Sequence, residues 1–352
     1  MLLGVAPIFL LAYLSAIVQM SQETQAYDPH GGIVPLMAGT AERPFVFRAL
    51  LPALAADLSG GVDASDTTWT PRRSSSPETN VLHTVLRVGD RNMPAATTLF
   101  WLSAACFGLY GLCVFYAVRT LQGLVFPMAL LAATLAMAVP VLWMIGCVEH
   151  VYDSSSLAGA AVLTFFGLRR QILPFLLALT VFSVAKETLV VLSLLLIVPL
   201  AYERKWAECA VALAASLAIA IGVRLIILRT FSHCPGVNLE VAPPGHPESP
   251  HWKANLLLPF VKTGNFFWIC VKLGLVLLPL AKVFRELDRP TRTVLVWSAI
   301  AMIVPLVFFG VMSELRVFFE LLPLWFVLAT PGMSRFLGPS QTLEPSVASA
   351  PH

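Results

Sequence analysis

Charge is what this sequence is short of. Only 12% of its 352 residues are Asp, Glu, Lys or Arg, against roughly 25% in an average soluble domain. With 57% hydrophobic residues and a mean hydropathy of +0.79, that shortage excludes a soluble globule. A basic surface is also missing: 23 Lys and Arg against 20 Asp and Glu leave a net charge of +3 with no basic, aromatic-interleaved stripe, so no nucleic-acid partner is expected. The six cysteines stand in no CxxC or Cys/His spacing, which argues against a zinc site or a redox motif. Neither G-x-x-x-x-G-K-[ST] nor G-x-G-x-x-G occurs, so no nucleotide is expected on a Gly-rich loop. Ser183-Val-Ala-Lys186 and Lys262-Thr263-Gly264 match fragments of a penicillin-binding pattern, but both sit in apolar runs with no S-D-N between them and are read as coincidence.

What is there instead is a series of neutral runs. Residues 1–22, 92–118, 120–148 and 293–313 contain no charged side chain, and each can cross a hydrocarbon layer about 30 Å thick. Four further runs, 154–168, 171–185, 188–202 and 209–223, are only fifteen residues long, about 22 Å as helix. They need their charged flanks to complete a crossing. With candidates at about 259–281 and 315–334, the expectation is an all-α, polytopic transmembrane bundle of about ten helices.

Lys and Arg in short loops stay on the cytoplasmic side. Arg119, Arg169 with Arg170, Arg204 with Lys205, and the set Lys282, Arg285, Arg289 and Arg292 fall between alternate runs, so all can be cytoplasmic with both termini inside. That requires residues 171–202 to form a hairpin of two short helices and not one helix of about 48 Å. The first segment lacks a basic flank and reads as an uncleaved anchor. A transmembrane domain over 1–335 then carries outer loops at about 21–95 and 230–258, ahead of a disordered cytoplasmic tail at 336–352. The first loop holds an apolar stretch between Arg43 and Pro52, suited to the membrane surface, then a Gly/Ser/Asp/Thr-rich stretch at 58–80 expected to be mobile. The second is proline-rich and expected to be irregular.

In this orientation the remaining ionisable groups gather at the outer face: Glu23, Asp28 and His30; Glu149, His150 and Asp153; Lys186 and Glu187; Arg224; Glu314, Arg316 and Glu320. Helix-end charges that meet headgroups account for any one of them. For Lys186 and Glu187, between two runs too short to reach the headgroups, and for Arg224 among Ile219, Ile221, Leu225, Ile226 and Ile227, a polar cavity is the competing reading. Glu149, His150 and Asp153 share one side of a helix. They either form a solvated cap, with Asp153 or Ser154 at a helix N-terminus, or hold a divalent cation or a diphosphate through one. Beyond that possible cation no cofactor is expected. Cys147 and Cys234 both fall outside and can pair in an oxidising compartment.

The layout resembles the GT-C superfamily of membrane glycosyltransferases and a set of bacterial multi-pass proteins of similar appearance. The resemblance rests on Glu23 and Tyr27-Asp28 after the first helix, Arg48-Ala-Leu-Leu-Pro52, Tyr152-Asp153 opening a short helix, Ala185-Lys186-Glu187-Thr188 at a mid-chain tip, and Glu314-Leu-Arg316 with Glu320-Leu-Leu-Pro323. It implies a protein of the bacterial inner membrane that moves a sugar from a polyprenyl-phosphate donor to an acceptor at the extracytoplasmic face. Asp28, or Glu23 in its place, would be the general base. Arg48, Lys186, Arg224 and Arg316 would bind the departing phosphate, with Glu149, His150, Asp153, Glu187, Glu314 and Glu320 completing the substrate site. Membrane lipids and the lipid-linked sugar are the partners implied. The sequence departs from the family in having no D-x-D pair in the first loop; Asp63 and Asp66 are the nearest acidic spacing. A transporter or flippase for a lipid-linked or anionic solute, or a non-catalytic partner in polysaccharide assembly, would use the same cationic groups.

Overall fold

A computed structural model describes residues 5–22, 32–41, 50–66, 85–144, 153–234, 263–309 and 318–336. Every regular element among them is helical. In chain order they are α1 (Ala6–Gln22), α2 (Ile33–Ala38), α3 (Leu50–Ser59), α4 (Met93–Leu121), α5 (Phe126–Met144), α6 (Asp153–Leu168), α7 (Ile172–Phe182), a 3-10 helix (Glu187–Ser193), α8 (Leu194–Tyr202), α9 (Trp206–Thr230), α10 (Thr263–Val283), α11 (Arg289–Phe309) and α12 (Leu322–Phe336). Among the described residues, four helices are long and apolar enough to cross a membrane: Met93–Leu121, Phe126–Trp143, Trp206–Thr230 and Phe266–Val283. Shorter apolar helices fill the space between them. The chain is thus a helical membrane protein by length and composition.

The inner bundle is built on close approach. On α1, Ile8, Ala12, Ala16 and Met20 are buried at four-residue intervals, one stripe of a helix. The stripe packs on α4 and α5. A Cβ on Gly111 of α4 would lie 2.4 Å from Met137 Sδ and 2.8 Å from Ile8, so the three helices meet where α4 has no side chain. Tyr110 donates its hydroxyl to the Ala136 carbonyl at 2.9 Å, satisfying a polar group that has no water to turn to. Helix α6 is buried along most of its length, packed on α4, α7, the 3-10 helix and α12. Its Gly159 and Gly167 let Phe182 and Leu195 approach to distances a Cβ would forbid, 2.6 and 2.7 Å. Small residues take this part in membrane bundles because lipid supplies no hydrophobic drive between helices.

The hairpin expected over 171–202 is present. At its base Arg170 pairs with Glu203, and Lys205 reaches the other Glu203 oxygen at 2.9 Å. Both helices that enter this base end in the same way. Arg170 and Arg204 have φ of 57° and 59°. The amides of Gln171 and Lys205 reach back to the carbonyls of Phe166 and Leu200, each at 3.0 Å. This is the left-handed cap usually given to glycine. Tyr202 also contacts Thr293 at 3.1 Å, between hydroxyl oxygens, so the start of α11 with Arg289 and Arg292 shares this end. Three of the basic clusters therefore meet at one end of the bundle.

Part of the 58–80 stretch differs from expectation. Residues 61–66 are clasped by the N-terminus of α4: the Asp63 amide donates to Asn92 Oδ1 at 2.9 Å, and Asn92 Nδ2 donates back to the Asp63 carbonyl at 2.9 Å. Bonds from the Ser65 hydroxyl and then from Arg91 hold the half-buried Asp63 carboxyl down at about 2. A short loop tied at both faces of one asparagine has little freedom left, which composition did not reveal. The Arg43–Pro52 stretch is described only from Leu50, where α3 begins. The proline-rich loop beyond Cys234 and the tail from 337 lie outside the described residues.

Gly159 and Gly222 give a paired test of the packing. Gly222 on α9 has nothing within 4 Å of a built Cβ, so Gly222→Ala should leave thermal stability unchanged or slightly raised. Gly159→Ala must displace Phe182 and should cost about 1–3 kcal/mol, the usual penalty of overpacking. Equal melting temperatures for the two variants would show that α6 and α7 are not in contact.

Candidate functional site

The chain breaks its helix after α7. Residues 183–186 are irregular, Lys186 is extended at φ −161° and ψ 123°, and the 3-10 helix starts at Glu187. At eleven residues, α7 is about 16 Å long, too short to reach across the hydrocarbon. Irregular backbone at such depth must be covered by protein or face a wet cavity. Here it is covered: Ser183, Ala185 and Lys186 are all buried.

The break drives Lys186 into the bundle, where its Nζ lies 2.5 Å from Glu320 Oε1. The lysine side chain is 10% exposed and the glutamate 1%. Thr188, two residues further along, donates its hydroxyl to the same Oε1 at 2.8 Å. The other carboxylate oxygen, Oε2, is buried and has no hydrogen-bond partner. Glu187 does not hold the lysine; it points to α9, where Arg224 Nη1 approaches its Oε1 at 3.9 Å. Consecutive side chains on extended backbone diverge, so Lys186 and Glu187 cannot both face inward.

The height of this cluster follows from α9. Arg224 lies eighteen residues beyond Trp206, about 27 Å along the helix from the basic end. The pair of ion pairs thus stands at the far end from Arg170, Glu203 and Lys205. Asp153 opens α6 at that same end, since α6 runs down to Arg169 and Arg170. Asp153 and the following Ser154, Ser155 and Ser156 are buried, so the solvated-cap reading of Asp153 is corrected: its helix end faces the protein interior. Its N-terminal dipole favours negative charge in that place.

Three residues beyond the expected set support the cluster. Phe319, beside Glu320, stacks on Trp143 at the end of α5 with ring centroids 6.4 Å apart. Trp143 in turn donates its indole N–H to the Lys272 carbonyl at 3.1 Å, and Lys272 Nζ returns a bond to the Trp143 carbonyl at 3.3 Å. Lys272, in the middle of α10, thereby caps the C-terminal end of α5, where carbonyls lack helical partners. A lone lysine at the centre of an apolar run was the available signal for it.

The structure brings together Lys186, Glu320 and Thr188, with Glu187 and Arg224 adjacent. Glu23, Asp28, Arg48, Glu149, His150, Glu314 and Arg316 lie outside the described residues. So does Cys147, while Cys234 is buried with its thiol donating to the Gly39 carbonyl at 3.3 Å. Among the described residues no group of three or more His, Cys, Asp or Glu side chains could hold a metal ion. No protein-family model, curated protein or solved structure matches the chain.

Removing one partner of a buried ion pair leaves the other charge uncompensated, at a cost of about 3–5 kcal/mol, while replacing both with neutral groups of similar size is often neutral or stabilising. Lys186→Met and Glu320→Gln should each lower thermal stability, and the double variant should recover most of the loss. Additive losses would contradict direct pairing.

Proposed function

We propose that the chain is a GT-C-like membrane glycosyltransferase, acting at the end of the bundle that holds Lys186 and Glu320, and that this end faces the extracytoplasmic side of a bacterial inner membrane. In this reading about ten helices cross, with both termini inside. The substrate is a polyprenyl-phosphate-linked sugar, and the product is an envelope glycan or glycolipid. The observation that carries the reading is the buried lysine, turned inward by a broken helix at the end of the bundle opposite the Arg170–Glu203 contact. A departing phosphate needs fixed positive charge in a site that excludes water. Lys186 supplies it, and Arg224 stands at the same height. Asp28, or Glu23, takes the acceptor proton as the sugar leaves.

A second reading, a transporter or flippase for an anionic lipid-linked solute, draws on two observations. A helix is interrupted at 183–186, and Lys272 lies in mid-helix; both are devices of secondary transporters. Purified protein in liposomes with a polyprenyl-phosphate sugar separates the readings. The transferase consumes the donor and loses activity in Asp28→Asn and in Lys186→Met, each checked for folding. Movement of intact donor between leaflets, with no transfer, would favour the transporter.

A further inference from the structure

Glu320 is an unusual partner for a phosphate-binding lysine. It already neutralises Lys186 in a space almost closed to solvent. An anion entering this space meets a carboxylate as well as an ammonium, and the two cancel. The lysine can bind an anion strongly only when the carboxylate withdraws or loses its charge. Withdrawal is hindered on several sides. Thr188 holds Oε1 at 2.8 Å, Phe319 is stacked on Trp143, and Leu321, Leu322 and Leu324 behind it are wholly buried. Loss of charge is open, because Oε2 is buried with no hydrogen-bond partner and can take a proton without breaking a bond.

We propose that this site binds the phosphate of an anionic ligand together with one proton, taken from solvent by Oε2 of Glu320. The proposal rests on the reading of Lys186 as a phosphate ligand and adds what happens to its counter-ion. In the empty site Glu320 is ionised and paired. In the filled site Glu320 is a neutral acid, its new O–H able to donate to a phosphate oxygen, and Lys186 is freed for the anion. The only bond formed is that O–H. The charge entering the buried space is the ligand's charge plus one, which lessens the electrostatic cost of burial.

The surrounding charges allow this change. On the elements packed about Glu320, the described ionisable groups at this end are Lys186; Glu187 on the 3-10 helix, facing Arg224 of α9; Asp153 at the start of α6; and Lys272 of α10, bonded to Trp143. Helix α5 carries no ionisable side chain, and the one Arg of α4, Arg119, is in its last turn at the opposite end. Glu187 and Arg224 offset each other.

Titration calorimetry of the whole chain in nanodiscs tests the coupling. The probes are a short-chain prenyl phosphate and, separately, inorganic phosphate. Work with the prenyl phosphate at pH 8.5 keeps a phosphomonoester, whose second pKa is about 6, from contributing protons of its own. The expected result is uptake of one proton per bound ligand, read from the slope of the measured enthalpy against buffer ionisation enthalpy. Affinity should fall about tenfold per pH unit as pH rises. Binding of the prenyl phosphate alone assigns the site to a lipid headgroup; equal binding of both assigns it to phosphate as such. In Glu320→Gln, which holds the side chain neutral, binding should persist and the pH dependence should vanish. Should that variant not fold, the slope for the parent protein decides alone. Binding with no proton uptake overturns this proposal and leaves the transferase reading standing, whereas no binding of either probe overturns both.

Discussion

A single buried ion pair sets the terms for the upper half of this molecule. Lys186 and Glu320 are far apart in sequence, and neither has water enough to be stable alone. An unpaired charge in such surroundings costs several kcal/mol. The hairpin tip and the segment ahead of α12 must therefore be held together, and the rest of the local design serves that meeting. Gly159 and Gly167 let the hairpin lie close on α6, and the 183–186 break turns the lysine inward. The Trp143–Phe319 stack fixes the glutamate's neighbour.

The opposite end solves a different problem. Arg170 and Arg204 occupy left-handed caps that glycine would fill with less strain. Glycine would remove the charge, and Glu203 gives both basic loops a shared partner. The same two turns thus carry helix termination and the ion pairs that join the two loops.

Much of this was legible in the sequence. The scarcity of charge indicated a helical membrane protein, and alternation of basic clusters required the hairpin over 171–202, which the Arg170–Glu203 contact bears out. Lys186, Arg224 and Glu320 were singled out because ionisable groups in apolar runs are expensive. The partners were not legible. Periodicity cannot reveal that Lys186 is extended and Glu187 faces the other way, so the lysine's true partner, from a distant segment, was out of reach. Lys272, inside the candidate run at about 259–281, drew no role from the sequence, whereas it caps α5 through Trp143. The clasp at Asp63 and Asn92 was missed because a polar stretch looks the same whether or not one asparagine bonds both its faces.

The path of residues 171–202, out to Lys186 and back, is the claim on which the site depends. Spin labels on cysteines at positions 170 and 203, in a background free of native cysteines, measure it by pulsed dipolar spectroscopy in nanodiscs. The account predicts a single short distance at the lower limit of the method. A distance near 48 Å, the length of one continuous helix over this span, would contradict it and would carry Lys186 away from Glu320.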